Sequence, residues 1–149
     1  MNAIENRKAR HDYEIIETYE AGIELVGSEV KSIRGGKASV KEAFARVIIG
    51  EIWLFNMHIA KFGNTDARLA PDEKRTRRLL LRKKEIAKIA ERVKLERLTI
   101  VVLKIYLNNR NKIKAQIALA RGRKLHDKRE AIKERDIKTN LKRLMKRSG

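Results

Sequence analysis

The chain has 149 residues, a net charge of +18 and no cysteine. That length predicts one domain with a single core, and a 42% hydrophobic content is enough to fill it, so the 38% charged residues do not imply disorder throughout. No run of about 18 apolar residues spans a bilayer, no thiol offers disulfide or thiolate chemistry, and the charge calls for an anionic partner.

The first residues, "MNAIENRKARHDYEI", lack the apolar block of a secretory signal, and a cytoplasmic protein is expected. They carry a first basic cluster, "NRKARH", ahead of the first strand. "YEIIETYEAGIELVG" reads as two apolar strand runs broken at "EAG", where Gly22 permits a bend or bulge. "SEVKSIRGGK" predicts a short helix capped by Ser28, with Glu29 near its start, Arg34 near its end and Gly35-Gly36 stopping it. Arg34 and Lys37 flank those glycines, a weak phosphate-cradle signal without the spacing of a phosphate-binding loop. "EAFARVIIGEIWLFNMHIA" predicts a hairpin, Phe44 to Ile49 and Glu51 to Ile59, turning tightly at Gly50.

"KFGNTDARLAPDEKRTRR" has no periodicity, contains the single proline, Pro71, and reads as a long loop. It runs into a second basic cluster, Arg75, Arg77, Arg78, Arg82, Lys83 and Lys84, around Leu79-Leu80-Leu81. The leucines suggest a strand buried on both sides, or one that leaves a leucine exposed to an unstacked base. "KKEIAKIAERVKLER" places Ile86, Ile89, Ala90 and Val93 at helical spacing. "LTIVVLKIYL", the turn "NNRN" and "KIKAQIALA" form a last hairpin, with Ile113, Ala115, Ile117 and Leu119 alternating. The whole is mainly β: an OB-like small β-barrel with flanking helices.

The third basic cluster, "RGRKLHDKR", opens a tail. From Arg121 to the end, twelve Lys or Arg and four Asp or Glu carry +8 of the total. We therefore divide the chain into a barrel, residues 1–121, and a basic tail, residues 122–149. Ile132, Ile137, Leu141, Leu144 and Met145 give the tail a thin helical stripe, marginal alone in water. His126, at its root, reads either as a solvated linker residue or as a ring that stacks on a base.

No catalytic constellation emerges. His11, His58 and His126 are scattered without metal-ligand spacing, His58 reads as structural, and the carboxylates are spaced as ion pairs. No enzyme activity, metal, cofactor, small-molecule substrate or membrane partner is expected. Three basic clusters on a small domain predict a phosphate-facing surface for RNA or DNA.

Several segments, in order, carry a resemblance: "NRKARHDYEI", "YEAGIELVGSEVKSIRGGKA", "RTRRLLLRKKEI", "LKIY" and "IALARGRKLHDKREAIKERD". Over Asn6 to about Lys138 the chain resembles the small protein B family, bacterial partners of transfer-messenger RNA. The resemblance implies an OB-like barrel that binds the transfer-RNA-like domain of that RNA around its elbow. It also implies delivery to stalled ribosomes for trans-translation, with barrel and RNA in the A site. The tail is implied to become helical when bound, passing the decoding region and probing the empty mRNA channel of the small subunit.

Carried over by position, the barrel contacts fall on Glu20, Leu80 and Lys114; from the basic clusters, and not from the resemblance, Arg34, Lys37, Arg75, Arg77 and Arg78 are expected as further RNA-binding cations. The tail determinants fall on Gly122, Arg123, Lys124, His126, Asp127, Lys128 and Arg129. The chain departs from the family pattern at structural punctuation: Lys61, Glu73 and Val102 replace frequent prolines, and Glu91 and Arg97 replace common glycines. The competing reading is a generic structured-RNA-binding or ribosome-associated protein.

Overall fold

The computed structural model describes residues 1–63 and 71–123, with the isolated helical positions Ile137 and Asn140. Strand β1 (Ile4–Glu5) leads into helix α1 (Arg7–Asp12), the long strand β2 (Tyr13–Ile23) and helix α2 (Gly27–Arg34). Then come β3 (Ala38–Ser39), β4 (Phe44–Ile48), β5 (Glu51–Phe55), β6 (His58–Ile59) and β7 (Arg77–Leu80). Helix α3 (Lys83–Glu96), β8 (Thr99–Leu107) and β9 (Ile113–Gly122) complete the described fold.

Six strands run antiparallel in the order β8-β4-β5-β7-β2-β9, and β9 pairs back onto β8, closing the barrel. β1 adds to β8 outside that ring, and β3 pairs with β6 as a separate ribbon. The expected mainly β, OB-like barrel with flanking helices is the fold observed.

Alternation dictates the closure. Ile52 and Leu54 of β5, Ile100 and Val102 of β8, and Ala115, Ile117 and Leu119 of β9 all point into one core. Ile86 and Ile89 of α3 and Ile33 of α2 cover its openings. A smaller cluster lies outside the barrel wall: Ala9 of α1 and Tyr13 pack on Val101, Leu103, Ala118 and Ala120. The alanines of β9 leave room for α1 to approach the sheet. β8 is therefore buried on both faces over most of its length.

α1 arises where the sequence suggested only a basic lead-in. Asn6 caps it, accepting from Ala9 N at 3.1 Å. The same buried side chain donates to Val40 O at 2.8 Å and Val102 O at 3.0 Å, so it also ties the helix to the barrel.

Several expectations need correction. β2 runs unbroken through Gly22, and its irregularity lies between Ile15 and Glu17. Ser28 does not cap α2; the N-cap is Val26, whose amide donates to Glu29 Oε1 at 3.0 Å. The second arm of the predicted hairpin stops at Phe55, because Asn56 turns at φ 61° and sends His58 and Ile59 to β3. Of the two arrangements open to the three leucines, the one that exposes a leucine is found: Leu79 is enclosed and Leu80 faces out.

The departures from the family pattern settle locally. Arg97 closes α3 in the left-handed region, φ 53° and ψ 45°, where a glycine would be unstrained. Glu91 lies on the exposed side of α3, and Val102 is enclosed within β8. Glu73 receives the Lys61 amide at 3.4 Å and His58 Nε2 lies 2.8 Å from it, so two replaced positions are joined.

Candidate nucleic-acid interface

The register of β2 assembles the site. Gly22 pairs with Leu80 of β7 on one side and with Lys114 of β9 on the other. Glu20 stands two residues back along β2, on the same face. Glu20, Leu80 and Lys114 thus line one cleft of about 480 Å³, together with Leu81, Arg82 and Glu85. Three positions scattered over the sequence meet because β2 is the strand shared by β7 and β9.

Each wall has a distinct chemistry. Leu80 is 46% exposed, which offers an apolar surface at the cleft. Lys114 has no carboxylate partner among the described residues, so its charge is not neutralised within the barrel. Glu20 is exposed and accepts a hydrogen bond from the Tyr106 hydroxyl. Gly22 keeps the cleft open: a Cβ there would sit 3.2 Å from Leu80 Cβ.

The remaining predicted cations divide sharply. Arg77 is fully buried, and this corrects its expected place on an RNA-facing surface: its Nη2 lies 2.6 Å from Glu29 Oε2. It also donates to Met57 O at 2.7 Å and Glu73 O at 3.2 Å. Burial pushes this guanidinium below its ordinary value, and Glu29 opposes the shift. Arg75 is largely committed to the same carboxylate, with Nη2 2.6 Å from Glu29 Oε1. Burial pushes Glu29 up, but hydrogen bonds from Arg75, the Val26 amide and Arg77 outweigh it and hold the carboxyl below the usual range.

Arg78 is bound to Glu24 at 2.8 Å, with Glu51 at 3.9 Å, so its charge is partly neutralised. Arg34 and Lys37 are exposed, Arg34 donating to Asn111 O at 3.3 Å. The Gly-Gly-Lys stretch between them is no phosphate cradle. The amides of Gly35, Gly36 and Lys37 already donate to the carbonyls of Lys31, Ile33 and Ser32.

Gly122 ends β9 opposite Tyr13, and the Arg123 amide donates to Asp12 O at 3.3 Å. Lys124, His126, Asp127, Lys128 and Arg129 lie outside the described residues. Among the described residues, no group of three His, Asp or Glu side chains is placed to hold a metal, and no helix is long and apolar enough to cross a membrane.

Sequence reasoning placed Arg82 only within a basic cluster and missed Glu85 as a cleft residue and Tyr106 as the partner of Glu20. The alternation in "LKIYL" held the signal for Tyr106, since it sets Tyr106 on the face opposite to Ile105.

A family model described as SmpB protein matches residues 3–147. The SsrA-binding protein of Chlorobaculum tepidum is 52% identical over 147 residues, covering 98% of this chain and 92% of the relative. That of Campylobacter fetus subsp. fetus is 46% identical over 142 residues, covering 95% and 94%. A solved structure reported as "tmRNA-SmpB: a journey to the center of the bacterial ribosome" matches with a TM-score of 0.70 at 47% identity, over 86% of this chain and 89% of that one. The match runs almost end to end in sequence and includes the barrel, and the chain belongs to the SmpB family.

Proposed function

We propose that this chain is an RNA-binding adaptor. It binds the transfer-RNA-like domain of transfer-messenger RNA and delivers it to stalled ribosomes for trans-translation. The barrel, residues 1–121, holds the RNA. The basic tail, residues 122–149, carries Gly122, Arg123, Lys124, His126, Asp127, Lys128 and Arg129 into the decoding region and the empty mRNA channel. The adaptor catalyses nothing itself and works in the cytoplasm.

The observation that carries this reading is the convergence of Glu20, Leu80 and Lys114 on one cleft. The three supply what a structured RNA loop requires. Lys114 meets a phosphate, Leu80 an unstacked base, and Glu20 a hydroxyl or N–H donor. The chain's net charge of +18 raises the encounter rate with any RNA, so the cleft and not the charge must discriminate.

A gel-shift titration with the transfer-RNA-like fragment, against ordinary transfer RNA as competitor at near-physiological salt, tests the reading. Binding that survives competition supports it. Equal binding to both RNAs overturns it in favour of a generic structured-RNA binder. The division of labour has its own test. Residues 1–123 alone should bind the fragment nearly as well as the full chain and fail to support peptide tagging on stalled ribosomes.

A further inference from the structure

β8, β9 and β2 lie side by side, so their registers define rows on the outer barrel surface. Lys104, Gln116 and Glu20 form one row; Tyr106, Lys114 and Gly22 form the next. The register irregularity between Val102 and Lys104 gives β8 an extra residue at Leu103, which keeps Leu103 under α1 and still turns Lys104 outward beside Gln116. Tyr106 then reaches across β9, its hydroxyl donating to Glu20 Oε2. Lys104 Nζ stands over the same ring, 5.2 Å from its centroid.

Two features set this arrangement apart from an ordinary surface clip. First, Lys104 and Lys114, like several exposed cations of the barrel, have no carboxylate partner among the described residues, but these two stand in the rows beside Glu20. Two cations that no acid among the described residues neutralises therefore bracket the Tyr106–Glu20 pair, Lys104 resting on the Tyr106 ring. Second, the pair fixes an exposed carboxylate that would otherwise sample several rotamers. With Oε2 held, Oε1 has no hydrogen-bond partner among the described residues, and Glu20 lines the cleft with acceptor sites available. Burial and the Glu20 carboxylate push the Tyr106 hydroxyl up to about 12, so it stays protonated and donating throughout the physiological range.

We propose that Tyr106 is the positioning residue for Glu20, and that Tyr106 and Lys104 extend the RNA-binding face from the Leu80 cleft across β9 onto β8. The ligand is a nucleotide that presents a hydroxyl or N–H donor to Glu20, with its flanking phosphates on Lys114 and Lys104. This rests on the adaptor reading above. Fixing the acceptor before the RNA arrives removes an ordering cost from binding.

Affinity for the transfer-RNA-like fragment, measured over a salt series for wild type, Y106F, E20Q, the double variant and K104M, tests the inference. Y106F is expected to bind about three- to tenfold more weakly with an unchanged salt slope, since the hydrogen bond that positions Glu20 is lost and no phosphate contact is. Adding Y106F to E20Q is expected to cost nothing further, because the positioned group is already gone. K104M is expected to lower the slope of log affinity against log salt by about one.

Wild-type affinity in Y106F, or effects of Y106F and E20Q that multiply, overturns the positioning role. An unchanged slope in K104M overturns the extension onto β8. Either result, with wild-type preference for the fragment over ordinary transfer RNA intact, removes this inference alone. Loss of that preference in the wild type removes the adaptor reading itself.

Discussion

Arg77 and Glu29 meet where neither side chain faces water: Arg77 Nη2 lies 2.6 Å from Glu29 Oε2, and the two are 0% and 2% exposed. The pair joins α2 to β7, and Arg77 extends the tie to Met57 and Glu73 through their carbonyls. Breaking one half leaves the other as a buried, uncompensated charge. Glu29→Ala is expected to cost about 3–5 kcal/mol, measured by urea denaturation. Acid should act in the same direction. The Glu29 carboxyl is held below its ordinary 4.5, so its contribution is complete above that value and is lost as pH falls through the folded-state value. The wild type should therefore lose stability as pH drops below about 4.5, and Glu29→Gln should lack that component.

Two side chains occupy the left-handed region where the chain offers little to hold them. Ile49, at φ 49° and 81% exposed, forms with Gly50 the two-residue turn between β4 and β5. Both central residues of that turn need positive φ, and a β-branched side chain resists it. Ile49→Asn should stabilise the fold by about 1 kcal/mol, read as a raised melting temperature. Arg97→Gly at the end of α3 should stabilise for the same reason. Neither should change affinity for the RNA fragment.

Gly22→Ala tests the cleft from its floor. The new methyl would meet Leu80 Cβ at 3.2 Å, close enough that one of them must shift. Leu80 Cβ moves only with the β7 backbone, so a few tenths of an ångström of adjustment between β2 and β7 relieves the contact and carries Leu80 with it. Melting temperature is expected to change little, while RNA affinity falls several-fold. A variant that melts early and binds normally would show that the cleft does not need Leu80 where it stands.

The exposed pair at the end of α2 should behave differently from the buried arginine. Neutralising Arg34 and Lys37 together is expected to lower the salt slope of RNA binding by up to about two, with stability unchanged. Arg77→Met should alter stability and leave the slope alone. A slope unchanged by the first variant would place the RNA away from that end of the barrel.

Much of the barrel was legible because alternation is a local property. Ile113, Ala115, Ile117 and Leu119 declare an inward face without reference to any other strand. α1 was hidden, since six residues with a single buried alanine have no readable stripe, and its cap, Asn6, gains meaning only from Val40 and Val102 far along the chain. Arg77 was misplaced for a similar reason. Within "KRTRR" its charge resembles that of its neighbours, and only the pairing of β7 with β5 and β2 turns it inward toward Glu29. The cleft residues came from family resemblance, but Tyr106 needed the register between β8 and β9.

β9 bears Lys114 near its start and Gly122 at its end; β8 pairs along one edge as far as Ala120 and β2 along the other as far as Gly122. Eight residues of strand separate the two positions, about 26 Å at the usual rise. A strand clamped on both sides is a strut: wherever the RNA fixes one end, the departure point of the tail is fixed too. Its length is then a molecular gauge, and an insertion would change the reach of the tail in steps. Two added residues preserve the inward and outward faces and lengthen the strut by about 7 Å, whereas one added residue exchanges the faces and breaks the core.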